Sequence, residues 1–303
     1  MNLITRSDFD GLTCAVLLKE VEIIEQIKFA HPRDIQEKTL EVTPNDILTN
    51  LPYHPNCGLW FDHHASESAR DDVPKTFNGR FETAPSAARV IVNHYRSHRF
   101  QRFDYLMYCV DKIDAARLTI EDVTDPKDWV LLSYVMDPRT GLGKYHDYGM
   151  SNKDLMSKMI DLIGTHSVEE ILAMHDIKQR VARYFEQEAE FRNFLASHST
   201  CQKNVIVTDQ RGVKDLPTGN RFLIYTLFPD ANVSIRIMDG REGKNVVAAI
   251  GHSIFNRTSK THVGDLCAKY GGGGHRGAGT TQIDTKDAEK VIKELIEQMK
   301  KDG

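Results

Sequence analysis

Asp62-His63-His64 closes the apolar run Gly58-Leu59-Trp60-Phe61. A run of that kind reads as a short buried strand, so it carries three metal-competent side chains to its carboxyl end. Open α/β sheets bind ligands at that end. Imidazole and carboxylate together suit Mn, Fe or Zn better than Ca. Near the start, Leu3-Ile4-Thr5 reads as a second apolar strand. It is followed by Ser7-Asp8-Phe9-Asp10-Gly11 and a helical stretch from Leu12 to Leu18. Side chains two apart on an extended turn point the same way, so Asp8 and Asp10 can face one cation. A helix cap needs only one aspartate; two, placed after a strand, fit a cation better. Asp46 precedes Ile47-Leu48, and Asp111 and Asp114 lie one helical turn apart in Cys109-Val110-Asp111-Lys112-Ile113-Asp114. Each of these three reads alone as a turn or helix-face residue. Together the acids and histidines suffice for two divalent cations sharing ligands.

A second constellation lies far along the chain, in Tyr270-Gly271-Gly272-Gly273-Gly274-His275-Arg276-Gly277-Ala278-Gly279-Thr280. Successive glycines are entropically expensive to order, and the usual reading of such a run is a linker. Here apolar Leu266-Cys267-Ala268 precedes it and strand-like Thr280-Thr281-Gln282-Ile283 follows, which favours an ordered loop. Consecutive N–H groups of Gly272, Gly273 and Gly274 form an anion nest, and His275 and Arg276 add charge and a planar donor fork. The run lacks the Gly-Lys-Ser/Thr ending of a P-loop and the setting of a dinucleotide fingerprint. Arg257 is a further candidate for a phosphate, with a surface strand-end arginine as the competing reading.

Asp8-x-Asp10-Gly11, Asp46, Asp62-His63-His64 and Asp111/Asp114 resemble the four ordered motifs of the DHH phosphoesterase superfamily. The Gly-Gly-Gly-Gly-His-x-x-Ala-Gly segment resembles the signature of its accessory DHHA1 domain. The resemblance implies two Mn(II) ions, with magnesium as the alternative, and hydrolysis at phosphorus. It implies Asp8, Asp10, Asp46 and His63 as metal ligands, with Asp114 or Asp111 as the fourth-motif acid. It assigns catalysis to Asp10, to Asp62 behind the ligands, and to His64 facing the substrate phosphate. Gly272, Gly273, Gly274, His275, Arg276 and Arg257 are then the substrate-binding set. One departure is Ile4, where several branches of the family carry a histidine; one ion then has fewer protein ligands or takes a substitute.

The elements that must hold these residues alternate between strand and helix from residue 2 to about 116, with strands expected near 2–6, 26–30 and 58–62. That alternation predicts a doubly wound parallel sheet, an α/β fold with helices on both faces. Helices are expected over 151–197, then a linker at Ser197-His198-Ser199-Thr200. Strands are expected at 204–207, 222–225, 232–237 and 246–250, with helices at 262–269 and 286–300. The expected division is a catalytic DHH domain over 1–196 and a smaller α/β DHHA1 domain over 201–303, with the site in the cleft between them. The chain has 303 residues, 40% hydrophobic and 27% charged, ample for two cores. A net charge of -4 leans against a processive nuclease tracking long nucleic acid. Five scattered cysteines without CxxC suggest reduced thiols in the cytoplasm. Met1-Asn2-Leu3 leads straight into a strand, and no stretch reads as a leader or a membrane span. The expected activity is a Mn-dependent phosphodiesterase on short oligonucleotides or nucleotide phosphates. An exopolyphosphatase or inorganic pyrophosphatase acting on polyphosphate or pyrophosphate is the alternative, and a nucleotide or nucleic-acid binding module without turnover is the third reading. No membrane partner is expected, and a homodimer is a candidate assembly.

Overall fold

The computed structural model describes residues 1–240 and 243–303, the Ala69 side chain excepted. It divides into two compact units, Met1–Leu118 with Pro126–Arg183, and Thr119–Asp125 with Tyr184–Gly303. In the first unit, β1 (Asn2–Thr5), β2 (Gln26–Phe29), β3 (Asp46–Thr49), β4 (Leu59–Asp62) and β5 (Gly79–Phe81) form one sheet in the order β2-β1-β3-β4-β5. Every pairing is parallel. Parallel sheets covered on both faces require continuous apolar runs, and the central strands have them. Leu3, Ile47 and Phe61 feed one core, built with the helices Phe9–Val21, Ala87–Tyr95 and Asn152–Thr165. Their neighbours Ile4, Leu48 and Trp60 feed a thinner core with Ile35, Val42 and Leu51.

The register explains where chemistry can collect. Asn2 lies opposite Asp46 and Thr5 opposite Thr49, while Thr49 lies opposite Phe61. The carboxyl ends of β1, β3 and β4 are therefore side by side. In a 2-1-3-4-5 order the winding reverses between β1 and β3, and the crevice beyond that reversal is where such sheets take ligands. The helix after β1 is buried from Phe9 through Leu18, all but its last turn, with each large side chain contributing about 1.5–3 kcal/mol. Gly11 permits its start to press against the strand end: a Cβ there would lie 2.2 Å from the Arg6 carbonyl oxygen. That close approach fixes the turn bearing Asp8 and Asp10.

The second unit carries β6 (Ser199–Gln202), β7 (Val205–Asp209), β8 (Val233–Asp239), β9 (Asn245–His252), β10 (Gly273–His275) and β11 (Ala278–Asp284), in the order β10-β11-β9-β8-β7-β6. The sheet is antiparallel except between β7 and β8. Ile235, Ile237, Ala248 and Ile250 on one face pack with Leu266, Leu295 and Met299 of the helices Val263–Ala268 and Ala288–Asp302. Two expectations fail here. Phe222–Tyr225 is not a strand; Arg221–Leu223 is a 3-10 turn leading into the helix Ile224–Leu227. The Asn220 side chain, which accepts from the Phe222 N–H, starts that turn. Ser197–Thr200 is not a linker either: the helix His175–His198 runs through Ser197, and β6 begins at Ser199.

Candidate metal centre

Asp8 caps the first helix, its Oδ1 accepting from Gly11 N at 2.9 Å and from Asn50 Nδ2 at 3.1 Å. Its Oδ2 faces Arg6 Nε at 3.1 Å. Asp10, one turn in, is buried and crosses to the next helix. Its Oδ2 accepts from Ala87 N at 2.8 Å and its Oδ1 from Ala88 N at 2.9 Å. These are orphan donors at the amino end of the helix Ala87–Tyr95, so the carboxylate is both satisfied and held by the helix dipole.

His63 is set by β4 and by the Ala84 carbonyl, which lies 3.0 Å from Nδ1. Donation from Nδ1 leaves the lone pair on Nε2, the usual way a protein orients an imidazole ligand. That Nε2 is buried and meets no hydrogen-bond partner among the described residues. It lies 3.3 Å from Asp114 Oδ2 and 3.8 Å from Asp10 Oδ2. Asp10, His63 and Asp114 thus place one donor atom each within 4.8 Å of one another. Three acceptors converge where a proton donor is missing, a group of the kind that could hold a metal ion.

The electrostatics agree. Burial pushes the Asp10 carboxyl up from its ordinary value, against the pull of His63 and the two backbone donors. Asp114 is pushed up further, by burial and then by the charges of Asp10 and Asp8. Bound cations invert such crowding. The donors are carboxylate oxygen and imidazole nitrogen, so the residues present fit a divalent transition ion.

Asp62 and His64 form a second pair on the same strand end. Asp62 is almost wholly buried and lies 2.8 Å from His64 Nδ1. Burial works against charge on His64, yet the hydrogen bond and charge of Asp62 outweigh it and raise the pKa. Asp62, His63 and His64 also meet the spacing of a metal-binding group.

The structure does not bring Asp46 to either group. It opens β3 at the amino end of the sheet, where its oxygens accept from Thr43 N, Thr43 Oγ1 and Asn2 Nδ2. Asp111 is also drawn elsewhere: Ser86 Oγ and the Arg89 fork donate to it. Asp114 is the member of that pair that reaches Asp10 and His63.

Asn50 stands at the carboxyl end of β3, and sequence reasoning passed over it. It is 1% exposed and left-handed, at φ 55°. Its Nδ2 donates to Asp8, and its Oδ1 is buried without a partner among the described residues. Asparagine after Leu48-Thr49 reads as a turn residue, which hid it. Arg6 and Arg139, whose charges act on the acids of this cluster, were missed as well.

In the second unit the four-glycine segment is an ordered hairpin rather than a linker. β10 forms the sheet edge against β11. A Cβ on Gly272 would lie 2.3 Å from the Thr280 carbonyl oxygen, and one on Gly274 would lie 2.3 Å from that of Ala278. Close backbone approach alone therefore demands two of the glycines. Gly273 faces open space, and His275 and Arg276 are exposed at the tip. Arg257 is exposed, its Nε donating to the Ile254 carbonyl.

A parallel sheet bearing carboxylates and an imidazole with unmet acceptors at its switch point is an arrangement that metal-dependent hydrolases use. Among solved structures the chain matches the pGpG-specific phosphodiesterase PggH from Vibrio cholerae at 43% identity, covering 100% of this chain and 99% of that one, with a TM-score of 0.84. An exopolyphosphatase-related protein from Bacteroides fragilis shares the fold at 14% identity, with 98% and 91% covered and a TM-score of 0.52. RecJ in complex with Mn2+ from Thermus thermophilus does so at 13%, over 99% of this chain and 52% of that one, with a TM-score of 0.55. The A-adding tRNA nucleotidyltransferase of Aquifex aeolicus is 24% identical over 241 residues, 78% of this chain. The chain spans about a quarter of the length of that curated relative. No family model matches. The chain belongs to the DHH phosphoesterase family, with a DHHA1-type second unit. No helix among the described residues is long and apolar enough to cross a membrane.

Proposed function

We propose that this chain hydrolyses the phosphodiester bond of linear dinucleotides and other short oligonucleotides, using Mn(II), with Mg(II) as the competing ion. The observation that carries this is the orphaned His63 Nε2 between Asp10 and Asp114. The full-length likeness to a protein titled a pGpG-specific phosphodiesterase supports the substrate class. Asp10, His63 and Asp114 would hold the ions, with Asp8 and the side-chain Oδ1 of Asn50 beside them. The chemistry divalent ions supply in such a donor set is activation of water and neutralisation of phosphoryl charge.

The chain's own residues prepare that chemistry. Backbone donors from Ala87 and Ala88 lock the Asp10 carboxylate in place before substrate arrives. Ala84 keeps the His63 lone pair turned inward. Asp62 orients His64 and favours its charged form, which suits a non-bridging phosphate oxygen. Within the second unit, Gly272, Gly273, Gly274, His275, Arg276 and Arg257 are the candidate phosphate contacts.

The test is a panel with Mn(II) and with Mg(II): a linear dinucleotide, a longer single strand, a cyclic dinucleotide, pyrophosphate and polyphosphate. The linear dinucleotide should be turned over fastest, and faster with Mn(II). Release of phosphate from polyphosphate or pyrophosphate alone would overturn the reading.

A further inference from the structure

The helix Ala87–Tyr95 has two ends with different surroundings. Its amino end gives Ala87 N and Ala88 N to Asp10. Its carboxyl end lies roughly 13 Å away, at about 1.5 Å per residue. There Val92 and Asn93 line a cavity of about 380 Å³, together with Arg80 of β5 and residues from Arg96 to Asp104.

Arg80 is held by a shared acid. Its Nη2 donates to Glu82 Oε2 at 2.5 Å, and Asn93 Nδ2 donates to Glu82 Oε1 at 2.7 Å. Both oxygens of Glu82 are thus answered. The Arg80 Nε, however, is buried and meets no hydrogen-bond partner among the described residues. A buried charged donor is ordinarily paired. His63 leaves an unmet acceptor where a cation fits; Arg80 leaves an unmet donor beside a cavity, where an anion fits.

Arg96 points the same way on separate grounds. It ends the helix in the left-handed region, at φ 48° and ψ 35°. Glycine is the residue that such a helix end favours. The Arg96 Nε donates to the Asn93 carbonyl oxygen at 3.3 Å, and its terminal nitrogens meet no protein acceptor among the described residues. The backbone would do better with glycine, so what the arginine adds is its guanidinium. Two such forks on one cavity match the oxygens of a phosphate. Ser97, Gln101 and Asp104 offer partners for hydroxyl groups, and Val92 and Phe100 offer apolar surface.

We propose that this cavity binds a small phosphate monoester carried on a hydroxyl-bearing body, a sugar phosphate or a nucleoside monophosphate, with the phosphate on Arg80 and Arg96. The site needs no metal and stands independently of the hydrolytic reading. It touches both helices that serve the metal centre: the one whose amino end holds Asp10, and Asp104–Asp114, which ends in Asp114.

Titration calorimetry of AMP, ribose 5-phosphate and adenosine into the full chain in EDTA reads this site with the metal centre empty. Wild type should bind AMP at one site per chain. Adenosine should bind about 10–100-fold more weakly, the range lost with a charge-assisted hydrogen bond. Ribose 5-phosphate binding as tightly as AMP makes the ligand a sugar phosphate; weaker binding makes it the nucleotide. Arg96→Gly should weaken AMP about tenfold or more without loss of stability to urea, because glycine suits that backbone. Arg80→Gln, which keeps a donor for Glu82, should weaken AMP similarly. Arg276→Ala, on the glycine hairpin, should bind AMP as wild type does. No AMP binding in EDTA overturns the site, and so does adenosine binding as tightly as AMP. Affinity that survives both Arg96→Gly and Arg80→Gln, or is lost only in Arg276→Ala, overturns it as well. Arg96→Gly decides alone if Arg80→Gln does not fold.

Discussion

Asp46 and Asp10 are buried carboxylates at opposite ends of the same sheet, and they are solved in opposite ways. Asp46, at the amino end, is answered in full: burial opposes its charge, but Thr43 and Asn2 donors outweigh that and lower its pKa. Asp10, at the carboxyl end, has two donors of its own, yet it is packed with Asp114, Asp8 and an imidazole lone pair. Burial and like charge raise Asp10 and Asp114 together. One end of the sheet is complete as folded; the other leaves a buried imidazole nitrogen without a hydrogen-bond partner among the described residues. Residue type alone does not separate the two; the inventory of donors does.

The contrast breaks most visibly at Asp10. Asp10→Ala should lower kcat by about 10³-fold or more, since an ion contributes several kcal/mol and each 1.4 kcal/mol is tenfold. Steady-state turnover of the linear dinucleotide, with circular dichroism as the fold control, measures it; near-normal turnover would erase the distinction between the ends. Asp62→Asn is the next step down. It removes the charge that orients His64 and should cost about 10–100-fold in activity, as partners behind a metal site typically do.

Asp46→Asn should do the reverse of Asp10→Ala. It should leave kcat unchanged but destabilise the fold by about 1–3 kcal/mol, read from urea denaturation, because charge-assisted bonds are lost. Its pH dependence sharpens the point. A folded-state pKa below the ordinary value of about 3.9 contributes stability that is full above that value and lost as pH falls through the lowered one. The acid limb of the wild-type stability curve should therefore flatten in Asp46→Asn. Asp111→Asn is expected to have the smallest effect, about 1 kcal/mol of stability for a partly buried pair with Arg89, with Mn(II) binding retained.

Much of this was legible because it rested on strand ends. Apolar runs marked β1 and β4, so Asp8, Asp10 and His63 could be placed together before any coordinates. Asp46 was misplaced because β3 is only four residues long: the acid that opens it reads, without the pairing register, like one that closes a strand. The true closing residue, Asn50, carries a neutral amide that no pattern marks as a ligand. Asp111 and Asp114 share a helix face within one turn, so spacing could not divide them; Arg89 and Ser86, distant in sequence, did. Phe222–Tyr225 failed for a related reason. A four-residue apolar run suits strand or helix, and a side-chain cap decides.

Manganese anomalous diffraction from crystals grown with Mn(II) tests the central claim most directly. Peaks should lie within coordination distance of Asp10, His63 Nε2 and Asp114, about 2.0–2.3 Å, with none at Asp46. Density for the ion absent from that cluster, or present at the Asp46 end of the sheet, would contradict the account.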